Sequence, residues 1–417
     1  MPHISVLYHF YSPDDVVSGR LYADLSEGLA ASGWQVTALP SNRSCHTGHG
    51  PYPRHEACHG VSIHRVWRPA WPQRMPLGRL ANTAWMIAAW SLLAFRRSPP
   101  DVLIVGTDPV LSVAVAIVWK LIRPRTRIVH WCFDLYPEAA VAGGLMRHGS
   151  LPHRLFRWLA AAAYRRCDSM VDIGVCTRER LAAYEAPARR LTITPWALVE
   201  PPAPLPAHPA EREALFGSAA LGILYSGTFG CAHSCDELLA LTRALEGSPV
   251  RFAFSVRGNR QSTLAAAAPG ATFVPFASSG ALARRLAAAD LHAVTLRPEW
   301  TGLVVPSKFF GALAIGRPVL FAGSPDSAIA RWIEQYGLGW VLTPHNVASI
   351  AAQLRRLAAD PARLADLQRH CHRVYRERFS RESCLAAWDA ELRALHGASL
   401  AAQPRPGREN IPARQSL

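Results

Sequence analysis

The chain has 417 residues, of which 50% are apolar and 18% are charged, and its formal net charge is +15. This length suits two domains of ordinary size, and the apolar content excludes a largely disordered chain. The positive charge favours anionic partners such as diphosphates or acidic lipid headgroups, whereas the aromatic-rich signatures of nucleic-acid binding and zinc-finger spacings are missing from the sequence.

Short apolar segments alternate with amphipathic segments in residues 1–200, which predicts an α/β domain with a parallel sheet. A helix is predicted from about residue 20 to residue 32, where Gly33 ends it, and residues 41–60 are predicted to form a polar loop. The predicted strands of this half are residues 4–8, 34–39, 102–105, 127–131, 169–173 and 192–194.

Residues 80–95 form an uncharged apolar segment between Arg79 and Arg96. A membrane-spanning helix needs about 20 such residues, so we expect a helix that is buried or partly inserted in a membrane surface. The surrounding Trp and Arg residues predict reversible binding to anionic bilayers, and a core helix with a solvated Arg face is the alternative. They are Trp67, Trp71, Trp85, Trp90, Arg65, Arg68, Arg74, Arg79, Arg96 and Arg97.

Residues 201–209 are rich in Pro and predict a linker, after which the alternation begins again. We therefore expect one domain in residues 1–200 and a second, similar domain in residues 210–376, with a cleft between them. A last helix is expected within residues 377–398, and a disordered tail in residues 399–417. In the second half the predicted strands are 221–225, 251–256, 291–296 and 318–321, and the predicted helices are 235–245, 306–315 and 381–395.

The nine cysteines are an odd number without disulfide-type spacing, and the N-terminal residues continue directly into a strand pattern without a signal-peptide layout. Both features predict a cytoplasmic protein. Two groups of His and Cys could suggest a metal, but neither has zinc-finger spacing, so we expect structural roles for both. The groups are residues 231–235 and the set His46, His49, His55, Cys58 and His59.

Two loops of the first half could bind substrate. Residues 9–20 connect a predicted strand to a helix and contain Ser18 and Gly19, which suits a phosphate, although an ordinary turn is the alternative. Asp134 and Glu138 follow the strand that ends at His130, at the sheet edge where ligands bind. A carboxylate there could orient or deprotonate an acceptor hydroxyl, and a helix cap by Asp134 is the alternative.

The most specific motif lies in residues 296–320. Lysine occurs only at Lys120 and Lys308, and Lys308 follows Pro306 and Ser307 at a predicted helix start. A lysine in the first turn of a helix forms an anion site suited to a diphosphate, and a solvated lysine at a plain loop-to-helix junction is the alternative.

Taken together, these motifs resemble the retaining glycosyltransferases of family 4 with the GT-B fold, and most closely the bacterial exopolysaccharide and lipopolysaccharide enzymes of the colanic-acid type. The resemblance covers roughly residues 4–395. Its motifs are Phe10, Tyr11 and Pro13, Ser18 and Gly19, residues 107–109, 134–138, 225–230 and 305–308, and residues 316–318.

The resemblance implies two Rossmann-like α/β domains facing across a cleft, with the last helix crossing back to the first domain. It implies that Lys308 binds the leaving diphosphate, so Lys308 and Asp134 are the candidate catalytic residues. The second Glu of the family pattern is Gly311 here, and Glu299 or Asp326 could replace it in binding the ribose. The implied donor-binding residues are Gly19, Gly227, Thr228, Pro275, Phe276, Glu299, Thr301, Gly302, Ser307, Lys308 and Asp326.

The function that the resemblance implies is sugar transfer from a nucleotide-diphosphate sugar to a lipid-linked or saccharide acceptor in cell-surface polysaccharide synthesis. It implies retention of the anomeric configuration, no metal or other cofactor, and a position at the inner face of the cytoplasmic membrane. A sugar-nucleotide 2-epimerase of the same architecture is one alternative, and a non-catalytic basic protein that binds membrane or nucleic acid is another.

Overall fold

A computed structural model describes residues 1–401 except residues 15, 45–50, 74, 258–264, 267 and 269. Within this part of the chain, two sheets form two α/β domains that follow one another in sequence. Of the predicted metal-type residues, His46 and His49 lie outside the described residues, as does Arg74 of the predicted membrane segment.

Eight strands of the described residues form the first sheet: β1 (His3–Leu7), β2 (Gln35–Ala38), β3 (His55–Cys58), β4 (Val61–His64), β5 (Val102–Val105), β6 (Arg127–Cys132), β7 (Ser169–Asp172) and β8 (Arg189–Thr192). Their order is β3-β4-β2-β1-β5-β6-β7-β8, and only the β3–β4 pair is antiparallel. Strand β5 is Val-Leu-Ile-Val and is buried at every residue, as expected for a parallel strand covered on both faces.

The helices of the first domain cover this sheet. Helix α2 (Pro76–Arg96) begins with Pro at its first position, which suits a helix start, and its residues Met86 and Trp90 are fully buried. No described helix is both long enough and apolar enough to cross a bilayer. The helices are α1 (Val17–Ala31), α2 (Pro76–Arg96), α3 (Val115–Ile122), α4 (Glu138–Ala142), α5 (Leu151–Tyr164) and α6 (Val175–Ala182).

The second sheet is parallel throughout its described strands: β9 (Leu221–Thr228), β10 (Val250–Arg257), β11 (Thr272–Val274), β12 (Leu291–Thr295), β13 (Val319–Ala322) and β14 (Gly339–Leu342). Its order is β11-β10-β9-β12-β13-β14, so the central strands β9 and β12 are neighbours. As in the first domain, the carboxyl ends of the central strands form the sheet edge that can bind ligands.

Local sequence sets the ends of the helices in the second half. The hydroxyl of Ser327 accepts a hydrogen bond from the backbone N–H of Ala330, and Gly337 ends the same helix with φ +64°. The helices are α7 (Pro209–Phe216), α8 (Asp236–Ala244), α9 (Ser279–Ala287), α10 (Lys308–Ala314), α11 (Ala328–Tyr336), α12 (Val347–Ala358), α13 (Pro361–Arg378) and α14 (Arg381–Ala401).

Helix α14 crosses back to the first domain. Trp388 is fully buried there, with its ring centroid 5.0 Å from that of Trp131, and Trp34 Nε1 donates to Asp389 Oδ1 at 2.7 Å. The expected architecture of two Rossmann-like domains with a returning helix is therefore confirmed.

Several expected boundaries differ from the structure. Residues 41–60 are not all loop, because His55–Cys58 is an edge strand that its mostly exposed polar residues did not reveal. Pro209 begins α7 and does not close the linker. The expected final helix at 377–398 is divided, since α13 ends at Arg378 and α14 continues to Ala401, so residues 399–401 are helical and not part of a tail.

Candidate active site

A cavity of about 370 Å³ lies between the two domains, and we call it the cleft cavity. The first domain contributes Val17 and residues 196–199 to it, and the second domain contributes the rest. Among the described residues its lining contains no Asp or Glu. The second-domain lining residues are Ser226, Gly227, Thr228, His233, Phe276, Leu282, Ala283, Leu286, His292, Ala293, Pro306, Ser307, Lys308, Gly311, Ala312 and Ile315.

Lys308 is the first residue of α10, and its ammonium group lies in the wall of the cleft cavity. Nζ donates to the hydroxyl of Tyr225 at 2.7 Å and to the carbonyl oxygen of Thr228 at 3.2 Å, and it lies 4.3 Å from the centroid of the Tyr225 ring. Burial lowers the pKa of Lys308 to about 7. An anion in the cavity would raise this pKa and restore the full charge.

Gly227 makes the position of Lys308 possible. It is the second-to-last residue of β9 and has φ +136°. A Cβ at this residue would lie 2.3 Å from Lys308 Cε. Any larger residue would therefore displace the lysine side chain. Ser307, beside Lys308, also lines the cavity, so five of the expected donor-binding residues are brought together: Gly227, Thr228, Phe276, Ser307 and Lys308.

At the base end of the expected donor site, one of the two expected residues lines the cleft cavity. Phe276 lines the cavity, whereas the carbonyl oxygen of Pro275 is occupied by hydrogen bonds from Ser255 Oγ and Arg285 Nη1, each 3.2 Å long. Gly19 lies within α1 and is buried against Phe10, where an added Cβ would be 3.3 Å from the carbonyl oxygen. Val17, two residues earlier, lines the cavity in its place.

Neither of the two carboxylates that were expected to replace the missing one at Gly311 lies in the lining of the cleft cavity. Gly311 lines the cavity, and an added Cβ there would have no atom within 4 Å, so the position is open. Glu299 and Asp326 are both exposed and lie outside the cavity lining. The expectation that one of them replaces the family carboxylate is therefore not supported by the structure.

Thr301 and Gly302 belong to a contact between the domains, away from the cavity lining. Gly302 has φ +78°, and an added Cβ would lie 2.6 Å from the carbonyl oxygen of Cys176 in the first domain. The next residue, Leu303, accepts a hydrogen bond from the N–H of Leu135 at 3.0 Å. This loop thus holds the two domains together, and donor binding by Thr301 and Gly302 has no support from their positions.

The edge of the first sheet carries the other expected catalytic residue, Asp134, in the loop after β6. Burial, and next the charge of Asp108, raise the pKa of Asp134 to about 6. Asp134 and His130 both line a second, small cavity. Nδ1 of His130 lies 2.9 Å from the carbonyl oxygen of Val105, and burial lowers the pKa of His130 to about 4. Asp134 is thus a buried carboxylate beside a neutral histidine.

Glu138, in contrast, is used in packing. One of its carboxylate oxygens accepts from the hydroxyl of Tyr184 at 2.6 Å and from Arg157 Nη1 at 3.0 Å. Since these bonds fix Glu138 within the first domain, Asp134 is the better candidate to meet an acceptor hydroxyl.

Sequence reasoning missed the pairing of His9 with Asp108, at the ends of two adjacent strands. His9 Nδ1 lies 2.9 Å from Asp108 Oδ1, and the Asp108 side chain is 43% exposed. The loop that carries Asp134 contacts the second domain, because the N–H of Leu135 donates to the carbonyl oxygen of Leu303 at 3.0 Å. Only the sheet order reveals the pair of His9 and Asp108, since its members are far apart in sequence.

Sequence reasoning also missed His233, which lines the cleft cavity although residues 231–235 were expected to be structural. Among the described residues, the one set of potential metal ligands within reach of a common ion is Glu27, Cys58 and His59, whose ligand atoms lie within 4.8 Å of one another. Cys58 and His59 are exposed, and this set is not part of the cavity lining.

Comparisons with known proteins agree with this geometry. Residues 19–197 match the family model of the glycosyl transferase 4-like domain. The chain is 26% identical over 262 residues to WbjE, a probable glycosyltransferase of Pseudomonas aeruginosa. This match covers 60% of this chain and 62% of WbjE. It is 24% identical over 376 residues to WcaI of Escherichia coli, a glycosyl transferase assigned to colanic acid biosynthesis, covering 83% of this chain and 89% of WcaI.

Solved structures show the same fold. Sucrose-phosphate synthase of Thermosynechococcus elongatus superposes with a TM-score of 0.71 at 16% identity, covering 95% of this chain and 99% of that chain. Anabaena HepE, solved with UDP-glucose, superposes with a TM-score of 0.63 at 13% identity, covering 94% of this chain and 99% of that chain.

The fold, the cleft and these matches define a glycosyltransferase of the GT-B class. Within that class, the first domain matches the glycosyl transferase 4-like family model, and both sequence relatives are described as glycosyltransferases. The matches give no support to the 2-epimerase alternative.

Proposed function

We propose that this glycosyltransferase moves a sugar from a nucleotide-diphosphate sugar to a lipid-linked or saccharide acceptor in cell-surface polysaccharide synthesis. The observation that carries the donor assignment is the buried Lys308 ammonium group in the wall of the cleft cavity. HepE, a structural neighbour, was solved with UDP-glucose, and WcaI is assigned to colanic acid biosynthesis. Retention of the anomeric configuration rests on the family resemblance.

On the donor side, Lys308 would stabilise the negative charge that develops on the departing nucleoside diphosphate. Its position is preorganised by Tyr225 and by the absence of a side chain at Gly227, so little rearrangement is needed during the reaction. A lysine and backbone groups can perform this role without a divalent ion, which supports a metal-independent reaction.

On the acceptor side, Asp134 would orient the attacking hydroxyl. Its carboxylate lies one residue before Leu135, whose N–H contacts the second domain, and Asp108 lies close enough to raise the pKa of Asp134. A carboxylate that accepts a hydrogen bond from the hydroxyl fixes the direction of attack and increases the nucleophilicity of the oxygen.

We further propose that the first domain binds anionic membranes reversibly, at the inner face of the cytoplasmic membrane. All exposed large apolar side chains of the described residues lie at or before residue 199. On α2, Met86 and Trp90 face the core, while Leu77, Leu80 and Phe95 are between 58% and 77% exposed.

Helix α5 carries a second exposed apolar group, next to Arg154. Its members are Leu151, Leu155 and Trp158. Such surfaces suit the interface of a bilayer.

The test of the enzymatic proposal is incubation of the protein with UDP-, GDP- and dTDP-sugars and a lipid-linked acceptor extract, with release of nucleoside diphosphate as the readout. We expect one donor to support acceptor-dependent release. If no nucleotide sugar binds or reacts, while DNA or vesicles bind with steep salt dependence, the non-catalytic alternative replaces the proposal.

A further inference from the structure

His233 stands in the loop between β9 and α8, beside Lys308 in the lining of the cleft cavity. Its ring is held from two sides: it stacks on Phe229 with centroids 6.0 Å apart and an interplanar angle of 25°, and it meets the ring of Tyr225 edge-on at 6.3 Å. The orientation of the imidazole is therefore fixed by packing.

The hydrogen bonds of His233 define which of its nitrogens carries the proton. Nδ1 lies 2.7 Å from the carbonyl oxygen of Thr295 and 3.1 Å from the Thr295 hydroxyl. A carbonyl oxygen can only accept, so Nδ1 donates. Burial, and next the charge of Lys308, lower the pKa of His233 to about 4, and the ring is neutral at physiological pH. In this tautomer Nε2 carries a lone pair and is a hydrogen-bond acceptor.

Apart from hydroxyl groups, side-chain acceptors are scarce in this cavity. The described lining contains no carboxylate, and His292, its other imidazole, is only 4% exposed and bonds the carbonyl oxygen of Leu286 through Nε2. Phosphate oxygens need hydrogen-bond donors, which Lys308 supplies. The lone pair of His233 Nε2 would repel these oxygens. A sugar hydroxyl, in contrast, is a donor that a neutral imidazole can bind.

We propose that His233 accepts a hydrogen bond from a hydroxyl of the transferred sugar and thereby contributes to selecting which sugar is transferred. This inference rests on the proposed function, because the sugar must adjoin a diphosphate bound at Lys308.

Three substitutions separate the acceptor from the packing role. In His233→Gln the amide oxygen can take the place of Nε2. In His233→Asn the amide can keep the hydrogen bond to Thr295, but no acceptor remains at the position of Nε2. In His233→Phe the aromatic ring remains and both nitrogens are lost. Binding of UDP and of UDP-glucose, UDP-galactose and UDP-N-acetylglucosamine is measured by calorimetry. His372→Phe is the control, since His372 bonds the carbonyl oxygen of Pro201 outside the cavity.

We expect the Asn and Phe variants to bind the best wild-type UDP-sugar about tenfold more weakly, the scale of one lost hydrogen bond, with UDP affinity unchanged. The Gln variant and the His372→Phe control should bind both ligands as the wild type does. Equal losses for UDP and the UDP-sugar, or no loss in the Asn variant, would overturn the inference. A wild-type protein that binds neither UDP nor a UDP-sugar would also overturn the inference, and one that fails to bind GDP and dTDP as well would overturn the proposed function.

Discussion

The two sheet edges that meet at the cleft differ in chemistry although they belong to similar domains. The edge of the first sheet carries the carboxylates of Asp108 and Asp134, whereas the edge of the second carries the ammonium of Lys308 and the neutral imidazole of His233. One edge is therefore suited to a hydroxyl that must lose a proton, and the other to a leaving group that gains negative charge.

Burial shifts the pKa values of the acid at one edge and of the base at the other in opposite directions. It raises the pKa of Asp134 to about 6 and lowers that of Lys308 to about 7, so in the empty cleft both groups are brought toward their neutral forms. Substrates would then restore the charges: a diphosphate favours the charged lysine, and a hydroxyl that donates to Asp134 favours its carboxylate. We therefore expect protonation at both edges to depend on occupancy of the cleft.

The largest effect is expected from the second edge. Lys308→Met should lower turnover by about 10²–10³-fold, because it removes the cation that stabilises the leaving diphosphate. The only other lysine provides the control: Lys120 bonds Asp168 at 2.7 Å and is not part of the cavity lining. Steady-state kinetics should show normal turnover for Lys120→Met. Wild-type turnover in a folded Lys308→Met protein would remove the donor assignment.

The first edge is tested by Asp134→Asn, for which we expect a loss in kcat of about 10²-fold, the lower end of the range for a positioned acid or base. Glu138→Gln should instead lower Tm with little change in kcat, since Glu138 bonds Tyr184 and Arg157. In the wild type, kcat/KM should fall as the pH falls through about 6, because Asp134 of the free enzyme becomes protonated. If the two variants exchange these effects, Glu138 is the functional carboxylate.

The pH dependence of donor binding separates the two edges further. Only the charged form of Lys308 attracts a diphosphate, and its pKa in the empty cleft is about 7. Above pH 7 each binding event must therefore take up a proton, and the affinity for UDP should fall by up to about tenfold per pH unit between pH 7 and 9. Calorimetry in buffers of different ionisation enthalpy measures this uptake. A flat profile, or one shared by Lys308→Met, would contradict it.

The outer surfaces of the domains should differ as the cleft edges do. Leu77→Glu combined with Leu80→Glu on α2 should weaken sedimentation with anionic vesicles by about tenfold or more, since each exposed Leu can contribute to apolar burial. Arg369→Glu on the second domain should have little effect, and high salt should weaken wild-type binding. Equal partitioning of the wild type onto neutral and anionic vesicles would exclude the electrostatic contribution.

The smallest effect is expected from metal removal. Turnover should persist in excess chelator, because the proposed donor site uses Lys308, and the Glu27, Cys58 and His59 set is not part of the cavity lining. Loss of turnover that a divalent ion restores would show that a metal takes part in the reaction.

The strands and helices with regular hydrophobic patterns could be predicted from the sequence. The apolar residues of Val102–Val105 and the strand-helix alternation predicted two parallel α/β domains, because a strand covered on both faces must be apolar throughout. Lys308 was identifiable because one of only two lysines stands at a helix start. The edge strand His55–Cys58 was missed, since its polar, mostly exposed residues produce no alternation.

What the sequence by itself determined is therefore the fold class, the cleft and the cation at its second edge, all of which depend on local patterns of hydrophobicity and helix initiation. Only the tertiary structure decided that His9 pairs with Asp108, that Gly227 makes room for Lys308, and that His233 enters the cavity while Glu299 does not. The physical reason is that these contacts join residues far apart in the chain. Their distances are set by how the strands pair and how the domains pack, and no local pattern records them.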